Sequence, residues 1–306
     1  MNLLFVMSAS GSFMVLFYIL LKYLAGRYIS AKWKNRILRI ALFFYLCPFQ
    51  LGKIYAQTYY YLFLDDTKVP DIVYIKDTIQ ITSNMLPAIS LNMTYKYLYL
   101  AGLIIVNIIL IYGIKVYQKQ KNSILLQSTT LSCEKILKCV QKQAKELKIK
   151  RKIVCKYCES AEPVTIGIFR PVLILNDTDL DDQVLAWILK HELLHIKNYD
   201  TFIRIIGMVV FAINFYNPFA FYLLLELINV SELVCDEELT VSFDDEERVQ
   251  YCKLLFETAC KKKEQYSLVT HFNNHFKLKE RIEMILKGTK KKKTLNIIVN
   301  SVSICF

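Results

Sequence analysis

Two histidines and a glutamate lie within one five-residue run, His191-Glu192-Leu193-Leu194-His195. On a helix, residues four apart share a face, so both histidines can hold one Zn²⁺ ion while Glu192 lies beside it. Zinc lowers the pKa of its water toward about 7, and a neighbouring carboxylate can take the proton and pass it to a leaving amine. The run therefore predicts a zinc-dependent peptide hydrolase in which Glu192 is the general base. The alternative is a surface helix with two solvated histidines.

A catalytic zinc usually takes three protein ligands, so a third is expected elsewhere in the chain. Glu232 and Asp236 are again four residues apart. We predict Glu232 as the third ligand and Asp236 as the acceptor of a ring N–H from one metal-bound histidine. Glu226 competes for the ligand role, but it lies in a row of leucines and has no acid four residues on. The alternative for Glu232 and Asp236 is a solvated acidic helix face.

A cation or hydrogen-bond donor near the substrate carbonyl would help catalysis, because negative charge develops on that oxygen in the transition state. Arg248 and His271 are candidates for this role, although neither spacing is diagnostic. His271 and His275 are alternatively a minor metal pair or have no metal role. Arg281 is interpreted as a structural ion-pair partner.

The composition of the chain predicts an integral membrane protein. Its 306 residues are 54% hydrophobic with a mean hydropathy of +0.30, which exceeds the balance of an ordinary globular domain. Residues 3–21 and 97–114 are apolar runs long enough to span a bilayer, and residues 37–52 form a weaker third candidate. A cleaved signal peptide is the alternative for the first run, but a basic start and a small-residue cleavage site are missing. We therefore expect a retained anchor and three spans.

The charges between the apolar runs predict the orientation. The connection after the first run is basic and the connection 54–96 is rich in aspartate, which favours a cytoplasmic and an outer location respectively. The third span then brings the zinc helix to the cytoplasm. The net charge of +12 is attributed to the membrane topology and to contact with anionic lipids. No binding motif for nucleic acid is found. The basic residues of the first connection are Lys22, Arg27, Lys32, Lys34, Arg36 and Arg39.

An apolar stretch at 202–230 separates the histidines from the predicted third ligand. A single crossing would place Glu232 on the other side of the membrane. However, Asn217-Pro218 in its middle is a turn signal, which favours two helices of roughly a dozen residues. Each half would be too short to span, so we predict a re-entrant or interfacial hairpin that returns residue 230 to the cytoplasmic side.

The region before the zinc helix shows two further patterns. Residues 132–148 have apolar positions at helical spacing and should pack on the protease core. Residues 152–158 and 164–175 are strand-like and form either an edge for an extended substrate or an ordinary supporting hairpin. The cysteines of this region are predicted to be free thiols, because they fall on the side predicted to be reducing. Cys155 and Cys158 have zinc-like spacing, but no second pair is present to complete a structural zinc site.

Taken together, these motifs resemble the membrane zinc peptidases of the BlaR/MecR type, bacterial signal transducers that relay the detection of beta-lactams. The resemblance covers most of the chain. It depends on the zinc run followed by Asp200, on Asn217-Pro218, on Glu232 through Asp236, and on three flanking segments. These segments are Gly167-Ile168-Phe169-Arg170-Pro171-Val172-Leu173-Ile174-Leu175, Arg248-Val249-Gln250-Tyr251 with Leu254-Leu255, and Leu278-Lys279-Glu280-Arg281.

The resemblance implies a mainly α multi-span membrane protein with a cytoplasmic α+β zinc protease domain of the gluzincin type. In such a site His191, His195 and Glu232 bind Zn²⁺, Glu192 is the general base and Asp236 orients a histidine. It also implies signalling, in which an outside stimulus activates the protease and leads to loss of a cytoplasmic transcriptional repressor. A peptide-maturation protease and a non-cleaving receptor or scaffold are the alternatives. Whether the protein forms a homodimer is left open.

The domains expected on this basis are three spans with an outer loop in 1–117, the zinc peptidase in 118–293, and the start of a terminal span in 294–306. The antibiotic sensors carry a large extracellular penicillin-binding domain, which we do not expect here. Ser132 and Lys135 have the Ser-x-x-Lys spacing of penicillin-binding sites, but Ser132 is interpreted as a helix cap. Beta-lactam recognition is therefore not predicted.

Overall fold

The computed structural model describes residues 2–26, 29–47, 93–159, 163–177, 180–263 and 278–287. Its fold is mostly helical with one small sheet. Much of the predicted outer loop, the predicted terminal span and His271 lie outside the described residues. The elements before the zinc run are α1 (Asn2–Ala25), α2 (Ala31–Leu46), α3 (Met93–Gln127), β1 (Thr129–Thr130), α4 (Glu134–Glu146), β2 (Val154–Tyr157), β3 (Val164–Ile166) and β4 (Val172–Leu175). The remaining elements are α5 (Asp182–Asn198), α6 (Asp200–Ile213), α7 (Pro218–Leu239), a 3₁₀ turn (Thr240–Ser242), α8 (Asp245–Lys263) and a helix over 278–286, here α9.

Helices α1, α2, α6 and α7 form a bundle around one apolar core. Val15 of α1, Leu38 of α2 and Leu223 of α7 are completely buried at its centre. The bundle also buries polar contacts, since Asn217 Nδ2 donates to Ser8 Oγ and Ser12 Oγ at 2.7 Å each. The turn between α6 and α7 is therefore fixed beside the N-terminal part of α1.

A four-stranded sheet packs with α4 against one face of α5. Its strand order is β1-β2-β4-β3, with β2 and β4 parallel and the other two pairings antiparallel. The strands confirm the two strand-like patterns of the sequence. Gly167 links β3 to β4 at a φ of +98°, and a Cβ there would lie only 2.8 Å from the Arg170 carbonyl oxygen, so the turn requires glycine.

Helix α5 carries the zinc run between two apolar surfaces. Leu185, Leu189 and Leu193 pack on the sheet side, whereas Trp187 and Leu194 pack toward α7 and α8. The Asp181 side chain accepts from the Gln183 N–H and caps its start. Tyr199 adopts a left-handed conformation at its end, and α6 begins immediately afterwards.

In the described part of the chain, two helices are long and apolar enough to cross a membrane, Val6–Ala25 and Pro218–Ser242. The first corresponds to the predicted run 3–21. The run 97–114 lies within α3, whose apolar part Leu100–Lys115 is shorter than the other two, and α2 begins before the weaker candidate 37–52 because Ser30 caps it. The number of spans in the sequence prediction therefore stays a prediction.

The hairpin at 202–230 has the predicted turn and a first helix of about the predicted length, but its second helix is longer than predicted. Asn217 caps α7, its side chain accepting from the Phe219 N–H at 2.9 Å, and Pro218 stands at the first turn. However, α7 has 22 residues and continues to Leu239, so it is not too short to span. The helix continues past residue 230 because the polar residues Ser231, Asp236 and Glu237 are buried against protein, so they do not mark the end of the helix.

The described cysteines are thiols rather than disulfides, as predicted. Cys155 and Cys158 are buried on opposite sides of β2, in two different apolar clusters. Among the described residues they belong to no group of potential metal ligands.

Candidate metal centre

The two histidines of α5 face Glu232 of α7. His191 Nε2 lies 3.5 Å from Glu232 Oε2, and His195 Nε2 lies 3.6 Å from Glu232 Oε1. The three potential ligand atoms lie within 4.8 Å of one another. This arrangement arises because positions 191 and 195 share one face of α5 and the α6–α7 hairpin returns the chain to that face. The sequence therefore correctly predicted that these three residues come together.

The spacing of these atoms fits a metal ion. Two ligand atoms on a tetrahedral zinc with bonds of about 2.1 Å are separated by about 3.4 Å. Both Nε2–carboxylate distances are close to that value, and two imidazoles with a carboxylate are a donor set that zinc accepts. The group could therefore hold a divalent metal without rearrangement of the backbone.

His191 is oriented through its other ring nitrogen. Its Nδ1 lies 3.2 Å from the Tyr251 hydroxyl and 3.4 Å from Asp236 Oδ1. Because the Tyr251 hydroxyl donates to Asp236 Oδ1 at 2.9 Å, its oxygen can accept from the imidazole Nδ1–H. Asp236 in turn accepts from Arg281 at 2.6 and 2.9 Å. This network leaves the Nε2 of His191 free for a metal.

His195 is oriented by Asp200, to which no role was assigned from the sequence motifs. Its Nδ1 lies 2.7 Å from Asp200 Oδ2, and Asp200 is buried. The left-handed Tyr199 brings Asp200 back toward α5, so an acid five residues after the histidine can reach it. Arg39 of α2 contacts the other oxygen of Asp200 at 3.5 Å. The only signal in the sequence was the presence of Asp200 in the family resemblance.

Glu192 lies beside the histidines and is held by the sheet. Thr165 Oγ1 of β3 donates to Glu192 Oε2 at 3.0 Å. One carboxylate oxygen is thereby fixed, and the other has no contact with a described residue at hydrogen-bond distance. The position of β3 next to α5 therefore matters for the site, which the strand pattern alone did not indicate.

Two arginines contact Glu232. Arg204 Nη2 donates to Glu232 Oε1 at 2.9 Å and to Ser231 Oγ at 2.8 Å. Arg281 Nη1 lies 3.5 Å from Glu232 Oε2. Arg281 is thus an ion-pair partner, as predicted, whereas nothing in the sequence singles out Arg204, because neither arginine has a spacing relation to the zinc run.

The electrostatics of the cluster favour a cation. Burial lowers the pKa of His191, but hydrogen bonds to Asp236 and Glu232 outweigh it and raise the pKa above its ordinary value. Burial likewise lowers the pKa of Arg281, whereas the adjacent Asp236 raises it, so that the net shift is upward. The carboxylates therefore attract positive charge, which a proton or a metal ion can supply.

The other candidate residues lie apart from this group or outside the described residues. Glu226, the competitor for the third ligand, accepts from Tyr18 Oη and Lys22 Nζ of α1 at 2.7 Å each. Arg248 is buried and donates to the carbonyl oxygens of Thr240 and Ile285. Its guanidinium joins the ends of α7 and α9, which corrects the expectation that it stabilises a transition state. His271 lies outside the described residues.

Comparison with known proteins gives the class as metallopeptidase, in agreement with the ligand cluster. The family model described as BlaR1 peptidase M56 matches residues 2–285, and the chain belongs to this family. The match confirms the resemblance seen in the motifs and includes every residue of the cluster. A search of curated proteins found no match. Membership implies a protein substrate and, together with the two candidate spans, indicates association with a membrane.

Proposed function

We propose that this protein is a membrane-held zinc endopeptidase of the gluzincin type, which transduces an extracellular signal by proteolysis at the cytoplasmic face. The observation that carries the proposal is the convergence of two histidine Nε2 atoms on one carboxylate, with Glu192 beside them. In this proposal His191, His195 and Glu232 hold the metal. Asp236 and Asp200 fix the two imidazoles.

Zinc bound there would polarise a peptide carbonyl and lower the pKa of water. Glu192 then acts as general base, taking the proton of the attacking water and delivering it to the leaving nitrogen. The Thr165 hydroxyl holds one oxygen of Glu192, which leaves the other to carry that proton. Tyr251 and Arg281 keep Asp236 in place and therefore act through His191.

Strand β3 is the proposed binding edge for an extended substrate. It pairs only with β4 among the described strands, so its other edge can accept backbone hydrogen bonds. Thr165 lies on this strand and contacts Glu192, which would place a paired peptide beside the general base. This contact favours the binding-edge interpretation over that of a supporting hairpin.

The proposed membrane placement is supported by contacts within the bundle. The turn at Asn217 packs on Ser8 and Ser12, near the start of the candidate span Val6–Ala25, whereas Glu232 lies at the opposite end of α7. Lysines at the end of α1 and the start of α2 bind α7 beyond this turn, where Lys22 binds Glu226 in the middle of the helix and Lys32 binds Glu238 in its last turn. Because basic residues mark the cytoplasmic side, the metal cluster should face the cytoplasm.

The proposed signalling output is the loss of a cytoplasmic transcriptional repressor. One alternative is a peptide-maturation protease, which uses the same chemistry on another substrate. The other alternative is a receptor that signals without cleaving a peptide bond. The test compares repressor abundance and membrane and cytoplasmic peptides between cells with the wild type and cells with the Glu192→Gln variant. A repressor fragment confined to the wild type supports the proposal, whereas a trimmed secreted peptide supports maturation. Signalling that survives the substitution, with zinc retained, contradicts a proteolytic role.

A further inference from the structure

The two guanidinium groups at Glu232 differ in what else they bind. Arg281 gives Nε and Nη2 to Asp236, and its side chain is only 18% exposed. Arg204 belongs to α6, contacts Glu232 and Ser231, and its side chain is 35% exposed. Arg281 is therefore committed to the inner network, whereas Arg204 lies at the opening of the cluster.

Arg204 has unused hydrogen-bonding capacity. A guanidinium carries five N–H donors, and both described contacts of Arg204 use Nη2. Its Nε is buried without a hydrogen-bond partner in the described part of the chain. An unpaired buried donor is costly, so the guanidinium is not held in this position by a full set of hydrogen bonds.

We propose that Arg204 is a catalytic residue that donates to the carbonyl oxygen of the scissile peptide bond, an inference that depends on the proposed peptidase function. Its Nη2 is one hydrogen bond from Glu232 Oε1, which faces His195 Nε2 at 3.6 Å. The guanidinium therefore lies beside a proposed metal ligand, and a carbonyl oxygen polarised by that metal would lie close to it. Arginine stays charged at any physiological pH and offers a planar set of donors, which suits an oxygen that becomes negative.

Engagement of Glu232 as a ligand would help this role. A carboxylate that shares its charge with a metal is a weaker acceptor, so the contact with Arg204 weakens and its donors turn to the substrate oxygen. Arg248, the candidate of the sequence analysis, cannot do this because its guanidinium is held by two backbone carbonyls. The competing explanation is that Arg204 only positions Glu232 for metal binding.

The test uses the purified full-length chain with Arg204→Met and Arg204→Lys, and with Arg36→Met as the matched control. Arg36 is exposed and stacks on the Trp33 ring at 4.9 Å, so its removal changes charge without touching the cluster. Three quantities are measured: zinc affinity by chelator competition, cleavage of a quenched-fluorescence peptide library, and affinity for a phosphinic peptide that imitates the tetrahedral transition state.

The expected result for Arg204→Met is a fall in kcat of about 100-fold, as for loss of one oxyanion donor, with KM and zinc affinity unchanged. Affinity for the phosphinic peptide should fall by the same factor as kcat/KM. Arg204→Lys should recover part of both, and Arg36→Met should match the wild type. A parallel loss of zinc affinity, or an unchanged kcat, would overturn the proposal. If the wild type binds zinc and the phosphinic peptide but cleaves nothing, the proposed function fails, and the binding comparison still decides the role of Arg204.

Discussion

At the residue scale, the cluster is organised as pairs in which each imidazole has its own carboxylate. His195 has Asp200 at 2.7 Å, and His191 has Asp236 at 3.4 Å with the Tyr251 hydroxyl at 3.2 Å. Such partners fix the tautomer and raise the basicity of the nitrogen that meets the metal. The ligands alone therefore do not account for the expected metal affinity.

Replacement of Asp200 by Asn tests this pairing. The neutral amide does not place a negative charge beside the His195 ring, as the carboxylate does. We therefore expect zinc affinity to fall about 10-fold to 100-fold with little change in helix content. Chelator competition measures the affinity and circular dichroism the helix content. Asp182→Asn is the control, because Asp182 is exposed in a surface ion pair with Lys135. Equal affinities for the wild type and Asp200→Asn would contradict the assignment.

The choice between Glu232 and Glu226 is tested by substituting each with Gln. Glu232→Gln replaces the anionic ligand and leaves Arg204 and Arg281 facing a neutral group, so we expect zinc binding to be lost or much weakened. Glu226→Gln can keep its contacts with Tyr18 and Lys22 and should bind one zinc per chain. Metal analysis after gel filtration distinguishes the two, and the reverse pattern would refute the ligand set.

At the element scale, α7 connects the far end of the bundle to the metal cluster. Asn217 at its start caps the helix and donates to Ser8 and Ser12, and Glu232 and Asp236 lie in its last turns. Removing the Asn217 side chain abolishes both the cap and the contacts. We expect Asn217→Ala to destabilise the protein by about 1 to 2 kcal/mol, measured as a lower Tm in detergent. Asn122→Ala on the exposed part of α3 should leave Tm unchanged, and equal effects of the two would argue against the network.

The elements show what local sequence can and cannot predict. The zinc helix, the two strand patterns and the Asn217 turn follow from periodicity and turn chemistry, which act over a few residues. The contacts of Asp200, Arg204 and Arg281 depend on the left-handed Tyr199 and on how α6 and α9 pack, so no spacing rule reveals them. The length of α7 was underestimated because its polar residues face protein, and hydropathy does not distinguish solvent from a polar interior.

At the scale of the whole molecule, we propose that the metal cluster lies on the cytoplasmic side of a membrane. Lys150 is exposed beyond α4, on the side of the chain that precedes the zinc helix. We therefore expect Lys150→Cys to resist a membrane-impermeant maleimide in intact cells and to react after lysis. The comparison requires a background in which the native cysteines are replaced. Labelling in intact cells would invert the predicted topology, and Lys68→Cys in the predicted outer loop should show the opposite pattern.

The central claim is that the chain is a zinc peptidase whose general base is Glu192. The most direct measurement takes the purified wild type and Glu192→Gln, determines zinc per chain for both, and assays both on the same peptide library. The account predicts equal zinc content, cleavage by the wild type, and a loss of at least about 100-fold in kcat for the variant, as expected when a general base is removed. Equal cleavage by the two proteins with zinc retained would contradict it.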